Sequence, residues 1–359
     1  MDKEEMKRVM NVWASSVALL CYCYTVVRSV PKGTLRLISL LPIFFLLSLL
    51  PLSLSSFQLA APAAFLLVWL CNFKLLLFFF EAGPLIHCPS CLRFVLAAAL
   101  PIKIKPSTTT MPAGPPFPKA RVTLPAKALV LALLHHVCEY RSSLHPYLVW
   151  LLYGACIFFG IELVLALYSL PGQVVLSGQG IELEPQFNEP LLSTSLEDFW
   201  GRRWNLTVSA ILREAIYDPI RAASLRWAGR RLGSYVAVLV TFTTSGLMHE
   251  VVFYYFIRST PTWEVTVFFL IQGGCVVAEK EVKRRLRGRW RPNKLISRAL
   301  TLGFLGVMAI RLIGVSMVES GVDEKAIRES RVILNFLKEK AGLVLASYIL
   351  KIGLVKRLL

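Results

Sequence analysis

What most constrains this chain is a series of apolar runs, each close to the length that crosses a bilayer and each bounded by basic or proline-rich sequence. A membrane-spanning helix takes about 20 apolar residues. Runs at 11–27, 38–57, 59–80, 121–139, 147–169, 233–257, 263–279, 299–318 and 331–350 approach that length. The expected fold is an all-α polytopic transmembrane helical bundle of about nine spans. Lys338, Glu339 and Lys340 interrupt the last run, which also reads as an interfacial amphipathic helix. The apolar stretch 85–101 is short and broken by Pro84, Pro89 and Pro101, and reads as re-entrant or interfacial. Only 17% of the residues are charged, against roughly 25% in a soluble domain, and mean hydropathy is +0.59, so a soluble globular fold is excluded.

The net charge of +18 sits in the loops between these runs, where it suits anionic lipid on the cytosolic side and not nucleic acid. Loop 280–298, with its Lys and Arg residues, is the clearest cytosolic signal. Runs 263–279 and 233–257 then form a hairpin joined near Ser259-Thr260-Pro261-Thr262. Segment 170–232 follows as cytosolic, as do the loop with Lys103, Lys105 and Lys119 and the stretch with Arg28, Lys32 and Arg36. The organisation expected is an N-terminal set of spans at 1–170, then a region at 171–359 with a cytosolic segment at 171–232. Run 11–27 is followed by Arg28 without a small-residue cleavage site, and is expected to be a retained span.

Two segments between runs resist regular structure. Loop 102–120 carries too many prolines for a helix or a central strand. Segment 171–190 is punctuated by Gly172, Gly178, Gly180, Pro185 and Pro190. After it, Ser195 followed by Glu197 and Asp198 suits a helix start, with a hydroxyl cap and acids in the first turn. Leu206, Val208, Ile211, Ile216 and Tyr217 continue an amphipathic pattern up to Pro219, expected on the cytosolic membrane surface. Trp200 and Trp204, four apart, share a face of that helix.

Chemistry-bearing residues are few. His249 lies sixteen residues into the run that begins at Gly233, roughly 24 Å along a helix. Ionisable residues inside a span are functional candidates by default. A neutral imidazole there serves either as a general base or as a hydrogen-bonding group between helices. Glu250 beside it points about 100° away on a helix and is expected to pair elsewhere. His135 and His136 read as interfacial or packing residues and His145 as solvated. Lys74 reads as snorkelling or pairing with Glu81. Arg202 and Arg203 suit either the phosphates of a cofactor or lipid headgroups. His87, Cys88 and Cys91 have a metal-like spacing but no second ligand pair, so no metal centre is expected. Asn205-Leu206-Thr207 is formally a glycosylation sequon that the topology places in the cytosol. There is no P-loop, GxSxG, HExxH, strand-borne GxGxxG or HxxxD.

The segments PLLSTSLEDFWGRRWNLTVSAILREAIYDPIR and FTTSGLMHEVVFYY, within 190–257, resemble the plant wax synthase family of long-chain-alcohol O-fatty-acyltransferases, relatives of the membrane-bound O-acyltransferases. The resemblance implies that His249 and Asn205 are catalytic, with His249 as general base. It implies that Trp200, Arg202, Arg203 and Trp204 lie near acyl-CoA. It implies an endoplasmic reticulum membrane protein taking acyl-CoA as co-substrate, with no cofactor, and a lipid alcohol from the bilayer. A thioester is already an activated donor, so the implied chemistry asks for no metal. A sterol or diacylglycerol acceptor remains open. So does a transporter with a buried His–Glu proton site, although no internal repeat is evident.

Overall fold

The computed structural model describes residues 3–104, 124–178, 181–286 and 293–333, together with 335 and 339. Among these residues the only β-pairing is an isolated antiparallel bridge between Ile104 and Leu183. Helices α1 (Lys3–Thr25), α2 (Thr34–Leu49) and α3 (Phe57–Phe79) are followed by a short α4 (Cys91–Ala99). Then come α5 (Leu124–Cys138) and α6 (Pro146–Ser177).

Among the described residues six helical stretches are long and apolar enough to cross a membrane: Lys3–Ser29, Thr34–Ser53, Phe57–Phe79, Pro146–Ser177, Leu206–Ile257 and Lys294–Glu319. They account for six of the nine expected runs. The run at 121–139 becomes the 15-residue α5. The run at 263–279 lies in Glu264–Leu286, whose end carries Glu279, Lys280, Glu281, Lys283, Arg284 and Arg285, leaving a short uncharged stretch. The run at 331–350 falls almost wholly outside the described residues.

Several expectations are corrected by how prolines and glycines are used. Helix α6 runs on through Pro171 to Ser177, so the chain has no break at residues 170 and 171. A helix also continues through Pro219. The turn just before it, Arg213–Tyr217, is π-helical. Widening that turn accommodates the missing N–H and the ring clash that a proline imposes on a helix interior. In the stretch 85–101, expected to be re-entrant or interfacial, the short helix α4 is capped by Ser90 and buries Phe94, Val95, Ala97, Ala98 and Ala99 in the core.

The apolar run from Leu206 to Ile257 is two helices. At Gly229 φ is 71° and ψ 174°, a backbone region that in practice only glycine occupies. We therefore separate α8 (206–228) from α9 (230–257). The Tyr217 hydroxyl lies 3.1 Å from Ser234 Oγ. In one straight helix these residues would stand about 25 Å apart, so the chain folds back on itself at Gly229. Gly229→Ala is expected to destabilise the protein by about 1–3 kcal/mol through this φ/ψ strain. A lowered thermal midpoint in detergent micelles checks it; an unchanged midpoint contradicts it.

The face of α8 expected to lie on the membrane instead packs on protein. Val208, Ile211 and Leu212 join the principal core, whose other members include Trp69, Phe94 and Val252. Arg213 and Glu214, on the opposite face, are exposed. Helices α9 and α10 (Glu264–Leu286) form the expected hairpin. They approach closely where Gly246 meets Thr266 and Phe269, and where Gly273 meets Phe242; a Cβ on Gly273 would lie 2.8 Å from that of Phe242. Small residues at such crossings let backbones close up. Helix α11 (Lys294–Glu319) contacts α6 and α10 through its π-helical turn at Ile310–Gly314.

Candidate active site

His249 sits on α9 between α3 and α10. Its Nδ1 lies 2.8 Å from the Ser245 carbonyl oxygen. A carbonyl only accepts, so Nδ1 carries the hydrogen and donates it. In the neutral ring, Nε2 then bears the free lone pair. The ring is clamped by two aromatics: Phe269 stacks on it with centroids 4.3 Å apart, and Trp69 meets it edge-on at 4.7 Å. Trp69 and Phe269 are themselves buried. The imidazole is thus fixed in tautomer and orientation by groups from three helices.

Glu250 does point away, as helix geometry requires. Its Oε1 accepts a hydrogen bond of 3.0 Å from the Thr266 backbone N–H, tying α9 to the first turns of α10. Lys74 neither snorkels nor meets Glu81. It is fully buried, and its Nζ donates to the carbonyls of Ala97 and Leu100 at 2.6 and 2.7 Å. Glu81 pairs instead with Arg36 at 3.4 Å. The His87 motif does not assemble: Cys88 Sγ faces the Pro84 carbonyl and Cys91 Sγ faces Cys21. Among the described residues no three His, Cys, Asp or Glu side chains gather as a metal site.

Two buried donors on the helices that clamp the imidazole have no partner among the described residues. Trp200 Nε1 donates to Gln272 Oε1 over 3.2 Å. An indole nitrogen can only donate, so this contact orients the Gln272 amide and turns its NH2 elsewhere. Gln272 is fully buried, and its Nε2 has no hydrogen-bond partner among the described residues. Gln272 follows Phe269 by three residues, on the same face of α10. Trp69 Nε1, on the ring that meets His249, is likewise buried and unpartnered. Buried donors left unpaired cost about 1–3 kcal/mol each, and such exceptions call for an explanation.

The other residues singled out in the sequence separate. Ser195 caps the short helix α7 (196–203) by accepting from the Asp198 N–H, and Glu279 accepts from the Leu196 and Glu197 N–H groups at the same end. Helix α7 becomes π-helical over Phe199–Arg203 and stops at Trp204. Trp200 and Trp204 consequently do not share a face. Trp200 turns toward Phe242, Phe269 and Gln272. Trp204 stacks on Phe199 at 5.4 Å and meets Phe158 and Phe187.

Asn205 adopts φ 38° and ψ 68°, a left-handed conformation that asparagine tolerates. Its Oδ1 caps α8 by accepting from the Val208 N–H at 3.2 Å. The contacts described for Asn205 do not reach His249. One turn on, Ser209 Oγ donates to the Trp200 carbonyl at 2.9 Å, so the capped helix holds the tryptophan that orients Gln272.

The two arginines have different surroundings. Arg203 Nε donates to Asp198 at 2.7 Å, and its Nη1 donates to the carbonyls of Asn188 and Glu189. Arg202 is exposed, and its side chain has no partner among the described residues. Arg203→Ala is expected to destabilise the protein by about 1.5–3 kcal/mol, the range for hydrogen bonds to charged groups. Arg202→Ala should shift stability by no more than about 0.5 kcal/mol. Thermal unfolding of both variants in detergent checks the contrast; equal shifts contradict it.

Sequence reasoning missed Gln272, Phe269 and Trp69. A lone amide inside the apolar run 263–279 was the available signal for Gln272. Trp69 and Phe269 stand in runs of apolar residues and look like any other core aromatic.

Residues 183–271 match the membrane bound O-acyl transferase family. The chain is 41% identical to the probable long-chain-alcohol O-fatty-acyltransferase 1 of Arabidopsis thaliana, over 94% of this chain and 98% of that protein. It is 42% identical to the long-chain-alcohol O-fatty-acyltransferase of Simmondsia chinensis, over 94% of this chain and 97% of that one. It is also 39% identical to acyl-CoA–sterol O-acyltransferase 1 of Arabidopsis thaliana, over 93% of this chain and 97% of that one. The matched family segment holds Trp200, Asn205, His249 and Phe269; Gln272 is the first residue beyond it.

Proposed function

This chain belongs to the plant wax synthase family of long-chain-alcohol O-fatty-acyltransferases, and from that premise we propose how its buried centre works. It is an integral membrane O-acyltransferase that moves a fatty acyl group to a long-chain alcohol, making wax esters. In our reading the donor is acyl-CoA, the alcohol arrives from the bilayer, and the enzyme resides in the endoplasmic reticulum membrane.

His249 Nε2 takes the hydroxyl proton as the alcohol oxygen bonds to the thioester carbonyl carbon. The carbonyl electron pair moves onto its oxygen, which accepts hydrogen bonds from Gln272 Nε2 and Trp69 Nε1. Donors held in place before the charge develops are the main electrostatic resource of acyl-transfer sites. When the carbonyl re-forms, the C–S bond breaks. The imidazolium returns its proton to the departing thiolate, leaving ester and free CoA. Asn205 acts as a positioning residue through α8, Ser209 and Trp200. Trp204 and Arg203 build the aromatic and polar wall of the α7 segment, and Arg202 faces the aqueous side of it.

The observation that carries this reading is the free Nε2 of an oriented imidazole clamped by Trp69 and Phe269, on whose helices two buried donors, Trp69 Nε1 and Gln272 Nε2, lack acceptors among the described residues. A proton-site transporter would need a charged partner for His249; the adjacent carboxylate is committed to the Thr266 backbone. The test is a microsomal assay with labelled palmitoyl-CoA, offering hexadecanol, a sterol and diacylglycerol in parallel. Label in the wax ester supports the reading. Label confined to steryl ester or triacylglycerol moves the acceptor, and no label in any ester, with the chain present in the membrane, overturns it.

A further inference from the structure

At the end of the α9–α10 hairpin remote from His249, an open cleft of about 390 Å³ is lined by Glu197, Arg230, Arg231, Lys280, Lys283 and Arg284, with Ser234 and Tyr235 behind them. Resting on the acyl-transfer reading above, the geometry points to this cleft as the site that binds the phosphate groups of the thioester donor's nucleotide end. The sequence pointed instead to Arg202 and Arg203, of which Arg203 is already occupied by Asp198 and two carbonyls.

The cleft has cations to spare. Glu281 is shared by Arg231, Arg284 and Arg285, with the Tyr235 hydroxyl donating to it as well. Glu197 is shared by Lys280 and Lys283, and Lys283 also pairs with Glu279. Arg230, exposed at the fold-back, has no side-chain partner among the described residues. Six cations (Arg230, Arg231, Lys280, Lys283, Arg284, Arg285) against three carboxylates (Glu197, Glu279, Glu281) leave a surplus of three positive charges. Guanidinium forks and a concave, basic wall suit a multiply charged phosphate better than a single carboxylate.

Distance along the helices supports the assignment. Gln272 precedes Lys280 by eight residues, about 12 Å of helix, and Phe269 precedes it by eleven, about 16 Å. From Tyr235 to His249 is fourteen residues, about 21 Å. The pantetheine arm between sulfur and pyrophosphate is a chain of about thirteen bonds, roughly 16 Å at the ~1.2 Å per bond of an extended chain. A donor with its phosphates in the cleft therefore delivers its thioester to the layer of Gln272 and Phe269, whose ring stacks on the His249 imidazole. The hairpin corner at Gly229 brings Arg230 and Arg231 to the same end as Lys280 to Arg284.

A phosphate-rich lipid headgroup shares this chemistry, so the test separates the two sources. Equilibrium binding of CoA, of phosphate-free pantetheine and of phosphatidic acid vesicles is measured on the full-length protein, wild type and Arg230→Gln/Lys280→Gln. Wax-ester turnover is recorded on the same preparations. The expected result is CoA binding weakened tenfold or more, about 1.4 kcal/mol, with pantetheine binding unchanged and kcat retained at saturating donor. Unchanged CoA affinity, or equal loss for CoA and pantetheine, overturns the assignment. Loss of phosphatidic acid binding with CoA binding intact overturns it in favour of a lipid headgroup. If the wild type binds CoA through the cleft but makes no ester, the acyltransferase reading fails while the phosphate site stands.

Discussion

His249→Ala lowers kcat for wax-ester formation by about 10³-fold or more, in line with the 10²–10⁴ that a positioned general base contributes, plus the loss of its imposed geometry. The protein stays folded in the membrane. Among the described residues the ring makes one hydrogen bond, to the Ser245 carbonyl, and packs between Trp69 and Phe269. Removing it leaves a small cavity and costs about 1–3 kcal/mol, well short of a typical protein's total stability. The measurement is turnover per unit of membrane-embedded protein, with thermal stability recorded alongside. Loss of activity together with loss of the protein from the membrane would point to a packing role. A stable variant with turnover near wild type would contradict the assignment outright.

Gln272→Leu is the second large effect. Removing one oxyanion donor in an acyl-transfer site costs about 10²–10³ in kcat. Stability should barely move, because the substitution removes one unpaired donor, Gln272 Nε2, and creates another by taking the acceptor from Trp200 Nε1. Each such change is worth about 1–3 kcal/mol and the two oppose each other. KM for the alcohol should hold, since the lost contact forms only as charge develops on the carbonyl oxygen. A drop in kcat with unaltered stability distinguishes a catalytic amide from a structural one. Unaltered kcat contradicts the role given to Gln272.

The sequence made some of this legible for simple reasons. Span-length apolar runs locate six of the crossing helices, because hydrocarbon admits few alternatives. The place of His249 within a long helix, the helix start at Ser195 and the outward turn of Glu250 follow from helical rise, capping chemistry and 100° per residue. Other features depend on contacts between segments remote in sequence. Nothing local distinguishes Gly229, where the chain doubles back, from glycines inside helices. The helix through Pro219 rests on a π turn that is invisible in a hydropathy pattern. Trp200 and Trp204 part company because α7 turns π-helical over Phe199–Arg203 and ends at an extended Trp204, before Asn205 caps α8. Arg203 looked like a free cation until Asp198, Asn188 and Glu189 closed around it. Gln272 acquires meaning only when Trp200, 72 residues earlier, fixes its amide.

In the proposed mechanism His249 acts as a base on the alcohol and does not itself carry the acyl group. The most direct measurement follows free CoA released from labelled palmitoyl-CoA by the full-length protein, with and without hexadecanol. CoA release is expected only when the alcohol is present, in step with wax ester and with no label held on the protein. A stoichiometric burst of CoA without alcohol, leaving labelled acyl-protein, would contradict it.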